Sequence, residues 1–196
     1  MLRFLGLILL TLGLVGCTPP PARLAPGTQL DTVAYVDPDR YLGLWFEVVR
    51  ADHSFERDCD GVTAFYERRE DGDIRVINRC WENGLDGTFD LAEGRARIVD
   101  QTSNSKLEVS FFGPFFGDYW IIDLAEDYSW AVVSEPEGRY LWILTRDPQP
   151  GDAFIEARLA DLRARGFDTD GLIRPQQWNS VEDMPRTGLP GEIVRR

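Results

Sequence analysis

Residues 41–50 read YLGLWFEVVR, and how this stretch folds decides the rest. Trp45 to Val49 is rich in aromatic and β-branched side chains, which suit a pleated, half-buried surface better than a helix. The stretch therefore reads as a buried strand. Gly43 is the anomaly, because a glycine brings no side chain to the packing and loses more freedom on folding than any other residue. Its place two residues before Trp45 needs a reason that the rest of the chain must supply.

Strand-like runs recur after it between turn residues. YVDPDRY (35–41) leads in as a turn or single helical turn, with Asp37-Pro38 as its punctuation. VTAFYERR (62–69) turns at Asp71-Gly72 into DIRVINRCW (73–81), and Asp-Gly between such runs marks a hairpin. FDLAEGRARIVD (89–100) follows a turn-rich stretch, and its Gly94 predicts a bulge or sharp bend. KLEVSFF (106–112), DYWIIDL (118–124), SWAVVSEP (129–136) and RYLWILTR (139–146) complete a set of eight. A helix follows: Asp152 is placed to cap its start, Ile155, Leu159 and Leu162 share one face, and Gly166 is placed to end it. Eight short strands with apolar positions on both faces favour closure, which leaves no edge strand unpaired. The expected fold is all-β, an eight-stranded antiparallel up-and-down barrel with one C-terminal α-helix.

The chain has 196 residues, enough for one domain with a good core. Its 33 acidic and 21 basic residues give a formal charge of −12, which repels phosphate backbones and makes nucleic acid a poor partner. The first residues read as an export signal, with Arg3 as the positive head and an apolar run from Phe4 to Leu14 that is too short to span a membrane comfortably. The run ends in Leu14-Val15-Gly16-Cys17, which resembles the lipobox of bacterial lipoproteins. That resemblance implies removal of residues 1–16 as a signal peptide and acylation of Cys17. The partner it implies is a membrane, reached through the lipid anchor. Thr18 after the cysteine favours the outer membrane, at its periplasmic face. Residues 17–33, proline-rich and without an apolar period, read as a tether, 34–178 as the barrel and helix, and 179–196 as a flexible tail.

With Cys17 acylated, Cys59 and Cys80 remain as an even pair in an exported protein, the arithmetic of one disulfide. Two buried free thiols are the alternative.

Gly43-Leu44-Trp45 resembles the Gly-x-Trp signature of the lipocalins. Gly117-Asp118-Tyr119 with Tyr128 resembles their second signature, and Arg146 at the end of RYLWILTR their third. The order and spacing are similar to those of bacterial outer-membrane lipocalins and apolipoprotein D over roughly residues 36–178. The resemblance answers the opening anomaly: it implies that Trp45 plugs the closed end of the barrel, that Gly43 lets the entering backbone come close, and that Arg146 lies over the indole. Phe46 stands where many relatives carry Tyr, and the cysteine pair departs from many bacterial members.

The resemblance also implies a binding protein and not an enzyme, with no cofactor and no metal. The expected ligand is a small hydrophobic molecule, a fatty acid or lysophospholipid, held in the barrel. Period-two alternation puts Val109 with Phe111, and Tyr119 with Ile121, on common faces, and Tyr66, Val76, Trp130 and Trp142 are further wall candidates. Two other readings stay open: an envelope structural or stress lipoprotein whose barrel is filled by its own aromatics, and a lipid-modifying enzyme using His53, the one histidine. Glu56 to Gly61 with Glu67 copies EF-hand spacing, but that motif needs helical flanks and these read as strand and turn. The oligomeric state, monomer or dimer, is left open.

Overall fold

The computed structural model describes residues 19–190. The expectations placed on the export signal and on Cys17 lie outside the described residues. A short helix, α1 (Pro38–Tyr41), precedes eight strands: β1 (Gly43–Arg50), β2 (Cys59–Arg68), β3 (Ile74–Glu82), β4 (Thr88–Ile98), β5 (Lys106–Phe112), β6 (Phe115–Leu124), β7 (Trp130–Ser134) and β8 (Leu141–Thr145). Helix α2 (Asp152–Ala164) follows. Each strand pairs antiparallel with the next and β8 closes on β1, so the sheet is a barrel without edges.

Alternation along the strands divides the apolar residues into two sets. One set, including Trp45, Tyr66, Val76, Leu107, Ile121, Val133 and Leu144, fills the inside of the barrel. The other, including Phe46, Val48, Val132 and Ile143, lies on the outer face, where Ile155, Leu159 and Leu162 of α2 cover it. This is why β1 is almost continuously buried: one face packs inward and the other meets the helix. The alternation breaks once within β1, where the pairing with β8 shifts between Glu47 and Val49. Glu47 stands opposite Leu144 and Arg50 opposite Trp142, so the bulge brings both charged residues to the inner face.

The two ends of the barrel differ. At the closed end lie α1, Trp45 and the turns β2–β3, β4–β5 and β6–β7. At the open end lie the loops β1–β2, β3–β4, β5–β6 and β7–β8.

Four local expectations are corrected. Gly94 pairs with Val76 in unbroken register and forms no bulge; it is small because the Phe111 ring lies 2.8 Å from where a Cβ would stand. Gly151, and not Asp152, caps α2, with φ +86°; Asp152 is the first helical residue and faces Arg174 at 3.2 Å. The proline-rich stretch does not leave the barrel as a free tether: Leu24 and Leu30 are buried, and the Ala25 N–H donates to Gly166 O at 2.9 Å. In its described part, residues 179–190, the segment expected to be a flexible tail packs as well. Met184 is buried and Leu189 lies against the outer cluster. The physical reason is Arg79, which faces outward from β3, is fully buried, and donates to the carbonyls of Pro185 (2.9 Å) and Thr187 (3.2 Å). A buried guanidinium must satisfy its donors, and the tail carbonyls do so.

Candidate functional site

The inside of the barrel is built in three zones. At the floor Trp45 is fully buried and its Nε1 donates to Tyr41 O at 2.8 Å. Arg146 lies over the indole, 3.7 Å from the ring centroid, and its guanidinium also donates to the carbonyls of Leu44, Leu42, Tyr41 and Arg40. Burial lowers its pKa to about 10. Gly43 has φ +94°, and a Cβ there would stand 3.4 Å from Arg146 Nη1. The glycine is therefore required by its backbone conformation, and not by the arginine, which a Cβ would meet only at ordinary contact distance.

Above the floor three phenols meet. Tyr119 Oη lies 2.9 Å from both Tyr41 Oη and Tyr66 Oη, and the Tyr41 and Tyr66 rings stack with centroids 5.7 Å apart. Burial raises the pKa of all three, so they remain neutral and serve as mutual donors and acceptors.

The upper zone is asymmetric. On the β4–β6 side three inward positions are small: Ala92 and Gly117 are exposed, Gly94 is half-buried, and a Cβ added at Gly117 would meet nothing within 4 Å. Beside them on the same side, Val109 and Phe111 of β5 and Tyr119 of β6 are half-buried members of the inner cluster, as is Trp142 of β8 across the barrel, and the Phe111 ring covers Gly94. Inward residues that stay accessible mark a cup open at the mouth. On the β1–β8 side the wall is charged. Arg50 Nε lies 3.4 Å from Glu47 Oε1 and 3.8 Å from Glu56 Oε2, within ion-pair reach. Its Nη2 donates to the Glu56 carbonyl at 2.6 Å, while Nε and Nη1 have no hydrogen-bond partner. Trp142 Nε1 donates to Glu56 Oε2 at 3.3 Å. Burial, and then the Glu56 carboxylate, push the Glu47 carboxyl well above the usual range, against the opposing pull of Arg50.

Of the residues expected to line the barrel, Tyr66, Val76, Val109, Phe111, Tyr119, Ile121 and Trp142 face inward. Trp130 does not. It pairs with Thr145 on the outer face and packs edge-on against Phe154 of α2, because inward positions on β7 are Ala131 and Val133. Asp118 pairs with Glu108 on β5 and is exposed, outside the cup. The Cys59–Cys80 disulfide is formed and joins β2 to β3 at the mouth. His53, expected on a loop near the mouth, is 3% exposed beneath Phe55, with ring centroids 3.9 Å apart, and its Nε2 lies 3.2 Å from Glu56 Oε2. Glu56 thus turns into the barrel and is taken up by His53, Arg50 and Trp142, which removes it from any calcium loop. Two surface concavities, of about 740 Å³ beside Trp130 and about 210 Å³ beside the start of α2, lie outside the barrel.

Sequence reasoning missed Tyr41, Glu47, Arg50 and Glu56. The available sign was two charged residues inside an apolar strand; strict alternation puts positions 47 and 50 on opposite faces, and only the bulge unites them.

Residues 36–177 match the lipocalin-like domain. The chain is 41% identical over 177 residues to the outer membrane lipoprotein Blc of Vibrio cholerae, covering 90% of this chain and 99% of that protein. It is 40% identical over 163 residues to the outer membrane lipoprotein Blc of Escherichia coli K12, covering 83% and 89%. Apolipoprotein D of Macaca fascicularis is 32% identical over 178 residues, with 85% of each covered. Among solved structures, insecticyanin from the tobacco hornworm superposes with a TM-score of 0.60 at 18% identity over 83% of this chain and 90% of that one, a likeness of fold alone.

Proposed function

The chain belongs to the lipocalin family, and on that premise we propose that its barrel binds a single-chain lipid, a fatty acid or lysophospholipid, at the bacterial outer membrane. The observation that carries this reading is the cup: the accessible small inward residues Ala92 and Gly117 lie beside Val109, Phe111 and Tyr119, with Trp142 across the barrel. An acyl chain would lie against that apolar wall, with its burial as the driving force. Its polar end would meet the Glu47–Arg50–Glu56 side, where Arg50 Nη1 has a donor to spare.

Two relatives are named outer membrane lipoproteins, which supports anchoring through Cys17 at that membrane. The mechanism is passive and needs no nucleophile, cofactor or metal. A filled barrel that binds nothing is the second reading, favoured by the tight lower interior, where Trp45, Ile121, Ala131 and Val133 are all fully buried.

Tryptophan fluorescence separates the two, because Trp142 lines the cup. The exported chain starting at residue 18, titrated with a lysophospholipid below its micelle concentration, should show a saturable change at about one ligand per chain. A signal that never saturates, or none from lipid-free protein, favours the filled barrel.

A further inference from the structure

We propose that the open end of the barrel docks on the phospholipid surface that holds the lipid anchor, with Phe112 and Phe115 entering its interfacial region and Phe55 joining them from the β1–β2 loop. This rests on the reading of Cys17 as acylated and of the cup as a lipid site.

Three observations carry it. The first is exposure. Phe112 and Phe115 flank the two-residue turn between β5 and β6 and are 82% and 79% exposed, and Phe55 is 61% exposed. Single exposed apolar side chains are ordinary, but here three phenyl rings project from one end of the molecule. The stretch from Phe111 to Gly117 carries no charge.

The second is where the chain leaves the barrel. Arg139 Nη1 donates to Pro20 O at 3.1 Å, and the Leu24 N–H donates to Glu137 O at 3.4 Å. Both contacts are made by the β7–β8 loop, at the open end. Cys17 precedes Pro20 by three residues, a reach of about 10 Å even when fully extended. The anchor is therefore tied to the open end, and the closed end lies the length of a strand away, about 30 Å for ten residues.

The third is chemistry. Aromatic rings settle at the boundary of headgroup and acyl chain, and a second apolar contact beside a lipid anchor converts a tether into a fixed orientation. The exposed charges of the open-end loops are mostly acidic: Asp52, Asp58 and Asp86 outnumber Arg57. They oppose an anionic surface and tolerate a zwitterionic one. In this pose the cup opens directly on the bilayer, so a single-chain lipid leaves the leaflet and enters the barrel without crossing water.

The test uses the full lipidated chain in vesicles of phosphatidylcholine and phosphatidylethanolamine. Phe115→Cys places a thiol at the open end and Glu70→Cys one on the exposed β2–β3 turn at the closed end. With Cys59 and Cys80 paired and Cys17 acylated, each variant takes one fluorophore. Lipids bearing a headgroup nitroxide should quench the probe at 115 several-fold more than the probe at 70. Equal quenching, or stronger quenching at 70, overturns the docking; an unquenched probe at 115 does the same and leaves the phenyl tip to a protein partner. The exported wild-type chain starting at residue 18, titrated in solution with lysophospholipid, keeps the two readings apart. Saturable binding without docking removes only this inference, whereas quenching at 115 without any ligand binding removes only the ligand reading.

Discussion

The Arg146 guanidinium carbon lies 3.7 Å from the centroid of the Trp45 ring, and the same guanidinium caps the carbonyls of Leu42 and Leu44. The contact joins the end of β8 to the start of β1, the seam at which the barrel closes. Trp45→Ala should cost about 3–5 kcal/mol as a fully buried truncation. Arg146→Lys should cost roughly 1–3 kcal/mol, since an ammonium cannot reproduce the planar fork and leaves carbonyls unpaired. Urea midpoints of the two single variants and the double measure the coupling. Costs that simply add would deny that the stacking contributes.

The cup should close without harm to the fold. A Cβ at Gly117 meets nothing within 4 Å, and the residue opposite on β5 is the inward Val109. Gly117→Phe should therefore leave stability within about 1 kcal/mol and weaken lysophospholipid binding at least tenfold, about 1.4 kcal/mol or more. Unchanged affinity in a folded variant would place the ligand elsewhere.

The buried carboxyl of Glu47 makes stability depend on pH in an uncommon direction. Burial raises its folded pKa, with Glu56 adding to the effect. Above the ordinary value of 4.5 the unfolded chain has lost a proton that the folded chain keeps. The unfolded state binds fewer protons there, so stability falls as pH rises toward the raised value. Glu47→Gln should be flatter: the stability of the wild type relative to the variant should decline as pH rises above the ordinary carboxyl value. Parallel urea midpoints over that range would show that Glu47 is ionised in the folded protein.

How much of this was legible depended on periodicity. The eight strands and the helix were readable from their periods, and the floor from the resemblance of Gly43-Leu44-Trp45 and Arg146 to the lipocalin signatures. Seven of the eight wall candidates face inward. Trp130 failed because a tryptophan on β7 is as useful under α2 as inside the barrel, and period two fixes only which residues share a face. The charged wall was illegible because a bulge interrupts the alternation between Glu47 and Val49. The packed flanks were hidden for another reason. Leu24, Met184 and Leu189 are isolated apolar residues among prolines and glycines, and it takes the outer face of the barrel to gather them.

The disulfide should matter at the mouth. Cys59 and Cys80 are separated by 21 residues, and closing a loop of that length removes about 3 kcal/mol of freedom from the unfolded chain. Cys59→Ser/Cys80→Ser should lose about that much, and added reductant should shift the urea midpoint of the wild type but not of the variant. A wild-type midpoint indifferent to reductant would mean that the pair contributes nothing to folding.

The C-terminal segment should come free when Arg79 is removed. Arg79 sits fully buried on the outer face of β3, donates to Thr63 Oγ1 at 2.9 Å and to two tail carbonyls, and lies 5.1 Å from the Trp81 centroid. Burial lowers its pKa to about 10, so it is charged at neutral pH and its donors must be met. Arg79→Met fills much of the same space but leaves the carbonyls of Pro185 and Thr187 without a donor, at a cost of roughly 1–3 kcal/mol. Those carbonyls can recover their hydrogen bonds by turning to water, which means that the tail lifts from the barrel. Limited proteolysis should then cut the variant between residues 180 and 190 well before the wild type. Lysophospholipid titration should be unchanged, because Arg79 and the cup lie on opposite faces of β3. Equal cutting rates would show that Met184 and Leu189 hold the segment by apolar contact alone, and a loss of ligand binding would show that the outer face supports the cup.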